Sequence, residues 1–206
     1  MSIERNQQER ENRMPDTASK RMSTLSVLGF QSLIAIVAVI AFYLTGVEVY
    51  TSELSVAHAI LLGVLGGVLT YISMFILTSG WQSGSSPLRE QMRFLHKFAC
   101  SYSWPVLVIL SIMAGFGEEL LFRGVIQGWL TERFGAVFAL AVAAIGFGLV
   151  HFLSFLYFVI ATLLGVVLGL AYVWSESLLL IMVWHGVYDL VALYCLRRYP
   201  SHFGVG

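Results

Sequence analysis

An all-α, polytopic bundle of about six transmembrane helices is the fold class this sequence predicts. Three observations predict it. Hydrophobic residues make up 58% of the 206-residue chain and charged residues only 12%, where an ordinary globular domain is roughly one-quarter charged. The mean hydropathy is +0.80. The apolar residues also fall into runs close to the ~20 residues that a helix needs to cross a bilayer. A net charge of zero gives no electrostatic reason to expect a nucleic-acid partner, and the lipid bilayer is the partner implied.

The elements follow in order. Residues 1–23 are polar, of mixed charge and without apolar periodicity, which predicts a disordered N-terminal tail. The apolar run after them is too long for a signal-peptide h-region and lacks a small-x-small cleavage site, so it reads as a retained span. Spans are expected at 24–46, 56–79, 104–129, 134–152, 156–174 and 177–196. The run from Phe134 to Trp174 is divided in two because a single helix of that length would overshoot the membrane. Its break is expected between His151 and Phe155. The hydrophilic stretch from Gly80 to His96, with Gly84-Ser85-Ser86-Pro87 inside it, is expected to be the one sizeable loop.

The chain therefore groups into a tail (1–23), two N-terminal transmembrane helices with a cytoplasmic loop (24–102), a helical core (103–196) and a short C-terminal tail (197–206). Lys and Arg cluster at Arg5, Arg10, Arg13, Lys20 and Arg21, at Arg89, Arg93 and Lys97, and at Arg197 and Arg198. The positive-inside rule then predicts that both termini are cytoplasmic. Glycine pairs at Gly63/Gly67, Gly124/Gly128 and Gly165/Gly169 predict close helix packing. Cys100 and Cys195 stand singly, without C-x-x-C spacing, and read as apolar filler at the membrane edge.

A few ionisable residues break the apolar pattern of the core. Glu118, Glu119 and Arg123 lie in one span, His151 ends the next, and His185 and Asp189 share the last. A charge at mid-bilayer costs roughly 2.5–3.5 kcal/mol on insertion scales, so such a cluster reads as a functional site. Glu119 and Arg123 are four apart and can pair on one helix face. Glu118 points about 100° away and can face a cavity. His185/Asp189 and Phe147/His151 share faces at the same spacing.

Each feature alone has a structural explanation: an ion pair at a helix interface, an interfacial histidine, a hydrogen bond between packed helices. The second glutamate does not, because only one arginine is there to neutralise it. A buried carboxylate beside a histidine can hold a water and take its proton. A second histidine with a carboxyl partner can donate to a developing oxyanion. Together these hydrolyse an amide. No Gly-x-Ser-x-Gly elbow suggests a serine nucleophile.

Glu118-Glu119-x-x-x-Arg123, Phe147-x-x-x-His151 and His185-x-x-x-Asp189, in this order on successive spans, resemble the CPBP family. Its members are CAAX-type and bacteriocin-processing membrane endopeptidases, also called glutamic-type intramembrane proteases or Abi proteins. The resemblance covers about residues 103–196. It implies that Glu118 is the general base, that His151 helps to hold the water, and that His185 and Asp189 form the oxyanion site. Glu119, Arg123 and Phe147 would support them, with no cofactor and no metal. The implied substrate is a membrane-anchored peptide or protein cut near its C-terminal end, and the implied setting is a prokaryotic cell membrane.

Two rival readings use the same residues. A zinc metalloprotease could recruit two histidines and a glutamate, but His-Glu-x-x-His is absent and Arg123 would oppose a cation. A non-catalytic immunity or transport protein could use them as a proton path, but no inverted repeat supports it. One geometric demand remains. Glu118 lies about 20 Å along a helix that starts at Trp104, whereas His151 ends its span. They meet if the helix of Glu118 is tilted, starts late or continues well past Arg123 toward Leu130. Continuation, with Glu118 near mid-depth, is the expectation.

Overall fold

A computed structural model describes residues 22–48, 52–82 and 86–205. The tail expected at 1–23 therefore lies almost wholly outside the described residues. The described chain forms seven helices, with no strand among them. In order they are α1 (Thr24–Thr45), α2 (Val56–Gln82), α3 (Ser86–Ser101), α4 (Trp104–Phe134), α5 (Ala136–Val150), α6 (Phe155–Ser175) and α7 (Leu178–Arg198). A 3₁₀ turn, Pro200–Phe203, follows. Five of the seven (α1, α2, α4, α6 and α7) are long and apolar enough to cross a membrane.

Local chemistry sets several of the boundaries. Ser23, Ser154 and Ser177 cap α1, α6 and α7, each side chain accepting from the amide three residues on. Such a contact satisfies one of the orphan amides of a first turn. Gly46 ends α1 in the left-handed conformation at φ 62°, where glycine carries no Cβ penalty.

The span expected at 134–152 is shorter than a span. α4 runs on to Phe134, giving a 31-residue helix with Glu118 near its middle, as the continuation expectation required. Gly135 then turns the chain at φ 85° and ψ 160°, a region of backbone space open essentially to glycine alone. The returning α5 has only 15 residues, or about 22 Å of helix, too little to cross a ~30 Å hydrocarbon core. That length matches the distance from Phe134 back to Glu118. His151, at the end of α5, therefore reaches the level of the glutamate.

The loop expected from Gly80 to His96 is also corrected. α2 continues to Gln82, and Ser86–Ser101 is a helix. Leu88, Gln91 and Ala99 are buried along one stripe of it, while Glu90, Arg93, Phe94 and Lys97 face outward. Mean hydropathy averages the two faces and misses the helix that a period of 3.6 would reveal.

The connections gather at two ends of the bundle. At one end, Ser52 donates to the Ser175 carbonyl at 2.8 Å, and Val47 packs on Gly128. At the other, Tyr102 Oη donates to the Met22 carbonyl at 2.9 Å, Arg197 to the Tyr102 carbonyl at 2.9 Å, and His96 Nδ1 lies 3.0 Å from the Leu196 carbonyl. Phe203 is buried there against Phe75, with ring centroids 5.6 Å apart.

α7 lies between α2 and α4. A Cβ on Gly63 would stand 2.7 Å from the Leu180 carbonyl oxygen, and one on Gly67 would stand 2.6 Å from that of Trp184. On the other flank, a Cβ on Gly186 would meet the Ser111 carbonyl oxygen at 3.0 Å. Glycine at these positions lets backbones approach closely without a hydrophobic driving force, which lipid does not supply. The approach of α4 to α7 sets Glu119 opposite His185.

Candidate active site

Glu118 and Glu119 close the α-helical part of α4, and the next turns widen. Residues Leu120–Gln127 are π-helical, and the Gly128 amide donates to the Arg123 carbonyl five residues back. Such segments are rare and recur at functional sites. Across this segment Arg123 Nη2 donates to the Gly165 carbonyl at 3.0 Å and Gln127 Nε2 to the Gly169 carbonyl at 3.2 Å. Both acceptors lie on α6. The Gly165/Gly169 pair thus does two things: it packs against α5 at Ala144, and it receives polar side chains from α4.

The two glutamates occupy different environments. Glu119 is 0% exposed, as is Arg123. Its Oε1 accepts from Arg123 Nη1 at 2.9 Å and from His185 Nδ1 at 2.6 Å. The Arg123 guanidinium also lies 4.6 Å from the centroid of the Phe147 ring. Sequence spacing anticipated the Glu119–Arg123 pair but not the bond to His185, which comes from another helix.

Glu118, 8% exposed, turns toward a different set of groups. Its Oε1 accepts from Gln31 Nε2 of α1 at 3.2 Å. Its Oε2 makes no hydrogen bond and faces His151 Nε2 at 3.4 Å. His151 Nδ1 lies 2.8 Å from the Phe147 carbonyl oxygen. A carbonyl only accepts, so Nδ1 carries the proton, and in the neutral ring Nε2 presents its lone pair toward Glu118.

His185, 2% exposed, has a carboxylate at each nitrogen: Glu119 at Nδ1, and Asp189 Oδ2 at 3.5 Å from Nε2. The Glu119 contact fixes the ring, and Nε2 points toward the more open side, where Asp189 is 31% exposed. Phe147 wedges the parts together. Its ring stands 4.5 Å from that of His151 and 5.7 Å from that of His185, and edge-on to Phe122 at 5.3 Å. Leu164 and Leu168 close the cluster.

All seven residues singled out in the sequence (Glu118, Glu119, Arg123, Phe147, His151, His185 and Asp189) are therefore brought together. Sequence reasoning missed Gln31 and Gln127. Gln31 had a signal, as the one long polar side chain in an otherwise apolar span. Cys100 and Cys195 stay apart from the site, both as free thiols. Among the described residues, no three His, Cys, Asp or Glu side chains form a group that could hold a metal ion.

The chain resembles a known family over this same region. Residues 100–191 match the family model described as type II CAAX prenyl endopeptidase Rce1-like. The uncharacterized protein YpbD of Bacillus subtilis is 33% identical over 92 residues, covering 43% of this chain and 44% of the relative. The chain thus spans less than half the length of that relative. No solved structure gives a significant match. The residues Glu118, Glu119, Arg123, Phe147, His151, His185 and Asp189 all lie inside the stretch that is similar to the Rce1-like family, itself part of the CPBP group.

Proposed function

We propose that this protein is an intramembrane endopeptidase that hydrolyses a peptide bond with water activated by Glu118. The observation that carries the proposal is the facing of the buried Glu118 Oε2 and the half-buried His151 Nε2 at 3.4 Å. Two acceptors so placed can take both hydrogens of one water, leaving its lone pair aimed at a scissile carbonyl carbon. Glu118 takes the proton as the oxygen attacks, and it later delivers that proton to the leaving amine nitrogen. In this reading His185 and Asp189 stabilise the tetrahedral oxyanion, His185 as an imidazolium that gives Nδ1–H to Glu119 and Nε2–H to the oxyanion. In this scheme Asp189 donates in its protonated form. Glu119 holds the His185 ring from its other nitrogen, and Arg123 neutralises Glu119.

The substrate, in this reading, is a membrane-anchored peptide or protein cut close to its C-terminus, as the type II CAAX description of the family suggests. The end of the bundle bearing α3, the start of α1 and the end of α7 faces the cytoplasm of a prokaryotic cell. It carries Arg93, Lys97, Arg197 and Arg198, against Glu48, Glu53, Glu132, Arg133 and Glu176 at the other end, which fits the positive-inside rule.

The reading is tested by reconstituting the purified full chain with two reporters, a transmembrane peptide with a short cytoplasmic tail and a peptide ending in a prenylated CAAX sequence. New C-termini are then read by mass spectrometry. Cleavage of either reporter, unaffected by chelator, is expected. Cleavage lost to chelator and restored by zinc would replace this mechanism with a metal-dependent one, and no cleavage of either would refute it.

A further inference from the structure

The site takes one contact from outside the family-matched stretch. α1 carries no charged residue, and its polar side chains besides the exposed Tyr43 are Thr24, Ser26, Gln31, Ser32 and Thr45. Ser26 bonds to Ser23, Ser32 to the Leu28 carbonyl, and Thr45 to the Ala41 and Phe42 carbonyls, all within the helix or at its cap. Gln31 instead reaches across to another helix, donating from Nε2 to Glu118 Oε1 at 3.2 Å. One turn on, Ala35 packs directly on the backbone of α4. A Cβ on Gly117 would lie 3.0 Å from Ala35 Cα, so α1 lies close to the glutamate.

We infer that Gln31 is a positioning residue for Glu118: its amide occupies Oε1 and thereby turns Oε2 toward His151. A carboxylate with neither oxygen bound could rotate about its last torsion, which is broad and roughly two-fold for glutamate. Binding one oxygen selects the orientation in which the other faces Nε2. Arg123 does not take this part: its Nη1 and Nη2 bond Glu119 and Gly165, and it makes no hydrogen bond to Glu118. The significance of the bond for turnover rests on the peptidase reading above, but its effect on the carboxyl group does not.

The test uses the full chain in lipid nanodiscs and two readouts. Difference infrared spectra of wild type against Glu118→Gln identify the carboxyl stretching band of Glu118. Gln31→Met keeps the length of the side chain and suits a lipid-facing helix, but removes the donor. It is expected to shift that band and to lower kcat on the prenylated CAAX reporter roughly tenfold, with KM and thermal midpoint unchanged. Gln31→Asn, with a donor on a shorter arm, should fall between wild type and Gln31→Met on both readouts.

A band that does not move in Gln31→Met overturns the inference, as does a loss of activity that only follows a loss of thermal stability. Failure of both variants to fold would make Gln31 a helix fastener and also overturns it. If the wild type cleaves nothing but the band still shifts, the positioning bond stands and the peptidase reading falls.

Discussion

His185 is the side chain on which the chemistry and the packing both depend. It is held at 2.6 Å by a carboxylate that is itself paired with Arg123 at 2.9 Å. If its Nε2 serves the oxyanion, the contact strengthens mainly in the transition state. His185→Ala should then lower kcat by about 10²–10³-fold with KM nearly unchanged, measured on the reconstituted enzyme. Asp189→Asn should retain more activity than Asp189→Ala, since the amide still offers a hydrogen bond. Equal loss in both would make Asp189 a charged orienter of His185.

Arg123→Ala should cost stability on the order of 3–5 kcal/mol, because it strands the Glu119 carboxylate in a dry interior. The combination Glu119→Gln with Arg123→Met should recover part of that loss in a thermal melt. At this scale the sequence was informative wherever a residue was out of place. Glutamate, arginine, histidine and aspartate are conspicuous in apolar spans, and their four-residue spacings predicted which would stack. Gln31 is less conspicuous, because neutral polar residues are common in membrane helices and no spacing rule links α1 to α4.

Between helices, what positions the site is the short return of α5. Its 15 residues bring His151 back to the level of Glu118, and the reversal depends on Gly135. Nothing lies within 4 Å of a Cβ built at Gly135, whose φ is +85°. Substitution there meets backbone strain and no clash. Gly135→Ala should therefore destabilise the protein by about 1–3 kcal/mol, visible as a lower thermal midpoint. A midpoint equal to that of wild type would mean that the turn adapts freely. Hydropathy placed the break at His151–Phe155 correctly but took α5 for a full span, since an apolar run shows composition and not where the helix within it begins. The π-helical turns at Leu120–Gln127 left no mark in Leu-Leu-Phe-Arg-Gly-Val-Ile-Gln that a helical pattern would not also leave. α3 was concealed by averaging, although Leu88, Gln91, Leu95 and Ala99 trace a stripe at helical spacing.

The whole molecule presents Glu118, His151, His185 and Asp189 from three helices, α4, α5 and α7, with α1 closing the flank at Glu118. The proposed orientation is tested by thiol labelling from outside intact cells. In a background without Cys100 and Cys195, a cysteine at Glu176 should label and one at Lys97 should not, and the reverse pattern would invert the bundle. The central claim is that Glu118 is the base. Its most direct test is the turnover of Glu118→Gln in proteoliposomes, alongside a thermal melt. A loss of at least about 10³-fold is expected, within the range general-base catalysis contributes, with an unchanged melt because the glutamine amide is nearly isosteric. Turnover within about tenfold of wild type would contradict it and leave the water to be activated by another group.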